Sequence, residues 1–127
     1  MAILNIRRVE RSDLENCIAL EKCCYPPLET ATRELLEKRI EIYPDGFYVA
    51  EIENKIVGMV NCGATHQEDI TEEAFKQLIG HVRNGKNGVV FSLAVYPDHR
   101  NKGIASLLIK EIVRVSKSKQ KENILLL

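Results

Sequence analysis

The sequence has no tryptophan, little proline and no residue pattern that identifies a nucleotide, zinc or membrane-spanning site. Neither G-x-x-x-x-G-K-[ST] nor G-x-G-x-x-G occurs, so the P-loop and common dinucleotide-binding folds have no support. No C-x-x-C pair is present, and the adjacent acids at 68–69 and 72–73 are more typical of an exposed helix start than of metal ligands. No apolar run approaches the roughly 20 residues that cross a bilayer. The sequence predicts no metal site and no membrane partner.

Positive and negative charges are balanced, with 18 basic and 18 acidic side chains in 127 residues. Without net charge the chain has no general attraction to nucleic acid, so any phosphate site must be local. Hydrophobic residues make up 45% of the chain, which is ordinary for a globular protein and sufficient at this length to form a core. We expect one domain over residues 1–127 that has no nucleic-acid partner.

The cysteines have no spacing typical of a disulfide framework. They are Cys17, Cys23, Cys24 and Cys62. Free cysteine packs as a small apolar residue, so buried and reduced thiols are expected. The N-terminus reaches Arg7-Arg8 after too few apolar residues for a signal peptide. The sequence therefore predicts a cytosolic or nuclear protein, most simply a cytoplasmic one.

The most informative segment is Ser92–Leu108, where an apolar strand, a basic loop and an amphipathic helix follow one another. A helix start has unpaired N–H groups and a partial positive charge, both of which favour an anion. Gly103 and Ala105 would let a phosphate approach closely. Arg100 and Lys102 would add local positive charge, although a solvated charged loop is the alternative reading of these two residues. The segment predicts a pyrophosphate cradle.

Periodicity and turn residues predict the order β-α-α-β-β-(α)-β-α-β, an α/β (α+β) arrangement. Ser12 and Glu15 form a capping-box pattern at the first helix, and Pro26-Pro27 ends it. The strands are predicted at 3–7, 47–52, 56–63, 89–96 and 124–127, and the helices at about 12–24, 30–43, 70–78 and 103–118.

The run Arg100-Asn101-Lys102-Gly103-Ile104-Ala105 resembles motif A of the GNAT superfamily of N-acetyltransferases. That motif is Gln or Arg, two residues, Gly, one residue, then Gly or Ala, and the flanking Leu93–Pro97 and Leu107-Leu108 fit it as well. The resemblance implies a GNAT-like mixed, mostly antiparallel sheet, flanked by helices and ending after the fifth strand. It also implies acetyl-CoA as cosubstrate. The implied cofactor-binding residues are Leu93, Ala94, Val95, Arg100, Asn101, Lys102, Gly103, Ile104, Ala105 and Ser106.

Three features are similar to the arylalkylamine N-acetyltransferase branch: Tyr25–Leu28, the acidic helix start Ile70–Glu73, and Ser92–Val95. The resemblance implies that the first of them binds the acceptor, although a plain helix-breaking loop explains it equally well. The residues concerned are Tyr25, Pro26, Pro27 and Leu28.

No residue can be identified from the sequence as the catalytic base. The arylalkylamine branch has histidines on the strand before Leu-Ala-Val, where this chain has Val89 and Phe91, and neither can carry a proton. Three histidines are candidates by chemistry alone, and each of them also fits a solvated surface position. They are His66, His81 and His99.

The resemblance therefore implies an N-acetyltransferase that acts on a small amine or a peptide amino group by direct attack in a ternary complex. The alternative is a non-catalytic acyl-CoA-binding or interaction module. In the superfamily a further helix and two strands complete the cleft and often supply a tyrosine that protonates the leaving thiolate, and none of this chain's tyrosines matches that position. The edge at Ile124–Leu127 predicts a piece of a longer protein or a homodimer, unless that edge is short and merely solvated.

Overall fold

The residues that the structure describes form five strands and three helices. The strands follow from alternating apolar residues, the helix ends from prolines, and the last helix from one strongly amphipathic stretch. The computed structural model describes residues 3–66, 78 and 81–126. The helix predicted at 70–78 lies, apart from Leu78, outside them. The elements are β1 (Leu4–Arg8), α1 (Leu14–Cys24), α2 (Arg33–Ile42), β2 (Phe47–Ile52), β3 (Lys55–Thr65), β4 (Asn87–Val95), α3 (Ile104–Ser118) and β5 (Asn123–Leu126).

The strands form one sheet in the order β1-β2-β3-β4-β5. The first four strands pair antiparallel, and β5 runs parallel to β4, which confirms the predicted mixed, mostly antiparallel fold. The pairing of β4 with β5 ends at Val90 and Leu126. Asn61 faces Ser92 whereas Cys62 faces Val90, so Phe91 is an extra residue that bulges out of β4. Beyond Val90, the outer edge of β4 therefore has no strand beside it in the described chain.

The helices cover both faces of the sheet. Val49 and Met59 pack in the cluster that contains α1 and α2, whereas Ala50 and Val60 pack in the cluster that contains α3. This alternation follows from the two-residue period of a strand. The buried face of α3 consists of Ile104, Leu108, Ile112 and Val115. Leu107, beside Leu108 in sequence, is 40% exposed because it lies one position out of this stripe.

Gly58 in β3 lets the first turn of α3 approach the sheet closely. A Cβ at this position would lie 3.2 Å from the carbonyl oxygen of Ala94 and 3.3 Å from side-chain atoms of Ile104 and Leu108. The close approach fixes the N-terminus of α3 beside the end of β4, which is where the predicted anion site lies.

The start of α1 differs from the prediction. Ser12 lies inside a short 3-10 turn, and the capping role belongs to Asp13, whose carboxylate accepts the backbone N–H of Glu10 at 2.7 Å. The same carboxylate binds the Arg7 guanidinium through two bonds of 2.8 and 2.9 Å. Glu15 pairs with Arg33 at the surface instead. The predicted capping box of Ser12 and Glu15 is wrong: Glu10 and Asp13 form the box two residues earlier, and Arg7 on β1 holds the Asp13 carboxylate.

The Arg7–Asp13 pair should stabilise the fold in a pH-dependent way. Burial alone would raise the pKa of Asp13, but the hydrogen bonds from Arg7 and Glu10 outweigh it and the pKa lies below its ordinary value. The stabilisation is therefore present above about pH 4, the ordinary range of a carboxyl, and is lost as the pH falls further. We expect Asp13→Asn to lower the free energy of unfolding at neutral pH by about 2–3 kcal/mol.

Denaturant unfolding at pH 7 and below pH 4 measures this effect. Glu15→Gln is the matched control, because its pair with Arg33 is exposed and should contribute less than about 1 kcal/mol. Equal effects of the two substitutions, or a loss for Asp13→Asn that persists unchanged below pH 4, would contradict the role given to Asp13.

The cysteines are free, as predicted, but they are not all buried. Cys17 and Cys62 are buried and Cys24 is half-buried, whereas Cys23 is exposed. Residues 17 and 24 lie on the core side of α1, and position 23 is turned away from it by one residue of helix rotation. Burial raises the pKa of the Cys17 thiol to about 12. None of the described helices is long and apolar enough to cross a membrane.

Candidate cofactor groove and acceptor cavity

The loop between β4 and α3 presents the helix N-terminus to an open groove. Asn101 and Gly103 both have left-handed backbones, with φ of 64° and 81°. Gly103 is the N-cap of α3, no side chain caps this end, and its first turn contains no acidic residue. The helix start therefore keeps its N–H donors and partial positive charge available to an anion. A Cβ on Gly103 would meet no atom within 4 Å, so the space beside the glycine is open.

A cavity of about 480 Å³ runs from the outer edge of β4 to this helix start. All the predicted cofactor-binding residues line it except Lys102, which is exposed. His99, which lies in the predicted phosphate loop, lines it as well, and so do Cys24 and Tyr25, whose placement here the sequence did not predict. We call this cavity the cofactor groove.

Two side chains donate hydrogen bonds to the carbonyl oxygen of Val95, at the end of β4. Arg100 donates from Nε to the Val95 oxygen at 3.0 Å, and the Cys24 thiol donates to the same oxygen at 3.4 Å. Arg100 also lies 3.7 Å from Cys24 Sγ through its terminal nitrogen. Burial raises the pKa of Cys24, and the contact with Arg100 opposes that effect. The Arg100 side chain is thus folded back along the edge of β4 within the groove.

The Tyr25 hydroxyl forms hydrogen bonds with the backbone of Leu93, which lies two residues earlier on the same edge of β4. Its hydroxyl donates to the Leu93 carbonyl at 3.1 Å and accepts from the Leu93 N–H at 3.3 Å. The edge of β4 that has no neighbouring strand is therefore covered by the last residues of α1 and by Arg100. These are the backbone groups to which a ligand extended along β4 would bind.

A second cavity, of about 630 Å³, lies on the other side of Tyr25, between α1, α2 and β4. We call it the acceptor cavity. Tyr25 and Leu28 line it, while Pro26 and Pro27 are not among its lining residues. Two charged residues on its wall are buried, Glu21 at 2% and Arg39 at 4% exposure.

Arg39 begins a buried polar chain that leads to Ser92, the residue before Leu93 in β4. Its Nη1 donates to Asn61 Oδ1 at 2.8 Å, and Asn61 Nδ2 donates to the Ser92 hydroxyl at 2.8 Å. Its guanidinium also lies 4.9 Å from the ring centre of Phe91. Burial lowers the pKa of Arg39 to about 10, and the Glu21 carboxylate opposes this shift. Sequence reasoning missed the chain, for which the only signal was a polar Asn61 within an otherwise apolar strand.

The candidate histidines are spread over the fold. His66 accepts the Lys86 N–H and His81 accepts the Ala64 N–H, and neither of the two lines the groove or the acceptor cavity. His99 lines the cofactor groove, and its Nδ1 is buried without a hydrogen-bond partner among the described residues. Of the three candidate histidines, one, His99, lies at the cofactor groove.

Sequence comparisons identify relatives of this chain among known proteins. The probable hydrolase YhcX of Bacillus subtilis is 30% identical over 112 residues, which cover 81% of this chain and 21% of that protein. The uncharacterized N-acetyltransferase YkwB of the same organism is 25% identical over an alignment of 133 residues, which covers 96% of this chain and 59% of that protein. The chain thus spans a fifth of the length of one relative and about three fifths of the other.

A solved structure extends the similarity to the fold. The GphF GNAT-like decarboxylase, determined in complex with isobutyryl-CoA, superposes with a TM-score of 0.81 at 27% identity, covering 87% of this chain and 58% of that one. The sequence model of the acetyltransferase (GNAT) family matches residues 14–127, a range that includes the groove and the acceptor cavity. The chain belongs to the acetyltransferase (GNAT) family.

Proposed function

We propose that this chain binds acetyl-CoA in the cofactor groove and transfers the acetyl group to a primary amine, of a small molecule or a peptide, in the acceptor cavity. The observation that carries the proposal is that the two cavities meet at Tyr25, which lines both. A donor in one cavity and an acceptor in the other would be held side by side, so the amine can attack the thioester directly in a ternary complex.

The groove has the parts that an acyl-CoA needs. The pyrophosphate would lie against the N-terminus of α3, where Gly103 leaves room and the N–H groups of Ile104 to Ser106 supply donors. The pantetheine arm would extend along the open edge of β4 and exchange hydrogen bonds with the side chains now bound to Leu93 and Val95. The thioester carbonyl would then reach a strand N–H, which can stabilise the tetrahedral oxyanion.

The acceptor cavity carries a small excess of negative charge. Carboxylates of Glu21, Glu29 and Glu34 line it beside the cations Lys38 and Arg39, so its lining has a net charge of −1, which favours an ammonium group. An alkylammonium with a pKa near about 10.4 must lose a proton before it attacks the thioester. We assign this proton to solvent in the open cavity, since His66 and His81 do not line it.

Acetyl transfer can be measured as release of CoA thiol with a panel of primary amines and short peptides. Direct transfer predicts that double-reciprocal plots at several acceptor concentrations intersect, whereas a covalent acyl-enzyme would give parallel lines. Binding of acetyl-CoA without transfer to any acceptor would favour the alternative function, a non-catalytic acyl-CoA-binding module.

Loss of Arg100 should weaken the cofactor without abolishing its binding. Arg100 is an exposed residue at the groove, so a phosphate contact should contribute near the lower end of the range for charge-assisted bonds, which is about tenfold in affinity. We expect Arg100→Met to raise the Kd for acetyl-CoA by about this factor at low ionic strength, and by less at high salt.

Calorimetric titration at two salt concentrations measures the effect. Arg114→Met is the control, because Arg114 is an exposed arginine of α3 paired with Glu111, two turns or more from the helix start. If both variants bind acetyl-CoA as the wild type does, Arg100 has no part in the phosphate site.

Decarboxylation of a carboxyacyl-CoA is a second candidate, favoured by the similarity to the GphF decarboxylase and by the buried Arg39 on the acceptor-cavity wall. A guanidinium can hold the carboxylate of such an acyl group, and a strand N–H can stabilise the thioester enolate left when CO₂ departs. Release of CO₂ from malonyl-CoA, measured beside acetyl transfer, distinguishes the two functions.

A further inference from the structure

Among the residues that the structure describes, Tyr25 is the one that the linings of the cofactor groove and the acceptor cavity share. Its hydroxyl donates to the Leu93 carbonyl at 3.1 Å and accepts the Leu93 N–H at 3.3 Å. The side chain therefore reaches from the end of α1 to the free edge of β4, and its ring lies at the junction of the two cavities.

The backbone of Tyr25 is fixed independently of its hydroxyl. Its N–H donates to the Glu21 carbonyl at 3.0 Å in the last turn of α1, and its own carbonyl accepts the Thr30 hydroxyl at 3.1 Å. Pro26 restricts the residue before it to an extended backbone, and Tyr25 has φ of −124° and ψ of 145°. Its side chain packs against the core cluster of α1 and α2. These contacts keep the ring in place if a ligand takes over the hydrogen bonds to Leu93.

The position of the anion site fixes the direction in which an acyl-CoA would lie. With the pyrophosphate at Gly103, the pantetheine arm extends along β4 from Val95 toward Leu93, because α3 follows the C-terminal end of that strand. Leu93 and Val95 are the two residues whose backbone groups bind side chains on the free edge. The thioester end would then lie at Leu93, with the carbon chain of the acyl group directed at the ring of Tyr25.

An acyl chain longer than acetyl would meet this ring or enter the acceptor cavity. Methylene groups pressed against a packed side chain weaken binding, and a chain inside the acceptor cavity takes the space that the amine needs. In an open apolar site the opposite trend holds, since each further buried methylene strengthens binding. The order of affinities along a series of acyl-CoA lengths therefore reports whether the ring closes the acyl site.

We infer that the ring of Tyr25 determines the length of the acyl group and restricts this protein to short acyl-CoA thioesters such as acetyl-CoA. The inference rests on the binding of acyl-CoA in the cofactor groove, as proposed above, and adds the residue that selects the acyl group. It gives the ring a steric role that is separate from the hydrogen bonds of the hydroxyl.

Calorimetric titration with acetyl-, butyryl- and hexanoyl-CoA measures the selection without turnover. The quantity compared is the Kd for hexanoyl-CoA divided by the Kd for acetyl-CoA, because a general loss of cofactor affinity cancels in this ratio. For the wild type we expect a ratio of about ten or more, with butyryl-CoA between the two. Tyr25→Ala should lower the ratio to about one or below, because loss of the ring opens the acyl site to the acceptor cavity.

Two further substitutions of Tyr25 separate its ring from its hydroxyl. Tyr25→Phe keeps the ring and loses the hydrogen bonds to Leu93, so it should keep the wild-type ratio. Tyr25→Leu shortens the side chain but retains apolar packing against the core cluster, so it should lower the ratio even if Tyr25→Ala folds poorly. Tyr48→Leu is the matched control, because Tyr48 is a half-buried tyrosine that lines neither cavity, and it should keep the wild-type ratio.

The outcomes separate this inference from the proposed function. An unchanged ratio in both Tyr25→Ala and Tyr25→Leu, or a wild type that binds hexanoyl-CoA as tightly as acetyl-CoA, would overturn the role of the ring. An equal fall of the ratio in Tyr25→Phe would assign the selection to the hydroxyl and would overturn it as well. If the ratios follow the expectation but no amine is acetylated, the proposed transfer fails and the selection stands. If no acyl-CoA binds at all, both fail.

Discussion

Replacing Gly103 by valine should abolish measurable acetyl-CoA binding. The residue has φ of +81°, a backbone that costs an L-residue roughly 1–2 kcal/mol and a β-branched one more. The valine side chain would also project into the open space in front of the α3 N-terminus, where the pyrophosphate is expected. Together with the lost phosphate contacts, these effects should reduce affinity by more than about a hundredfold. Calorimetric titration measures the loss.

Two further glycine variants separate the possible causes. Gly103→Asn adds a side chain at the same point while keeping a residue that tolerates the left-handed backbone, so it should fold like the wild type and still bind acetyl-CoA poorly. Gly88→Ala is the control, because a Cβ there would meet its nearest atom at 3.6 Å, an ordinary contact outside the groove. Binding of acetyl-CoA by Gly103→Asn with wild-type affinity would rule out a phosphate beside Gly103.

Leu108→Ala should destabilise the protein more than any other substitution considered above. Leu108 is fully buried on the inner face of α3 and packs over Gly58, so its removal leaves a cavity under the first two turns of the helix. Substitutions of this kind lower the free energy of unfolding by about 2–5 kcal/mol. Because this contact holds the helix start beside β4, we also expect weaker acetyl-CoA binding in the folded variant.

The neighbouring Leu107→Ala is the control for Leu108→Ala. Leu107 is 40% exposed, so its truncation should change the free energy of unfolding by less than about 1 kcal/mol. Denaturant unfolding of both variants gives the comparison. Equal losses would mean that the burial face of α3 has been assigned wrongly.

The sequence predicts those elements that local patterns define. β2 occupies the predicted range Phe47–Ile52, and α3 ends at Ser118 as expected. Strand ends that depend on pairing are longer than predicted: β3 continues to Thr65 because that residue pairs with Asn87. Similarly, α2 begins after Thr32 and not at Thr30, because Thr32 caps the helix: its hydroxyl accepts the Leu35 N–H.

The same distinction between local patterns and contacts distant in sequence applies to the candidate site. The helix start at Gly103 could be predicted, since a strand, a turn and a glycine before an amphipathic helix are adjacent in sequence. The chain of Arg39, Asn61 and Ser92 could not, because it joins α2, β3 and β4 through strand register and through the bulge at Phe91. No local pattern states which buried polar residues will meet across a sheet. The contact of Tyr25 with Leu93, 68 residues apart in sequence, could not be predicted for the same reason.

The central claim is that acetyl-CoA binds between the open edge of β4 and the N-terminus of α3. The most direct test is a titration of the isotopically labelled protein with acetyl-CoA, followed through its backbone amides by ¹H–¹⁵N NMR. The account predicts saturable changes that are largest at residues 93–95 and 103–106, with half-saturation below about 1 mM, the upper end of usual substrate affinities. Changes centred elsewhere in the chain, or none at millimolar ligand, would contradict it.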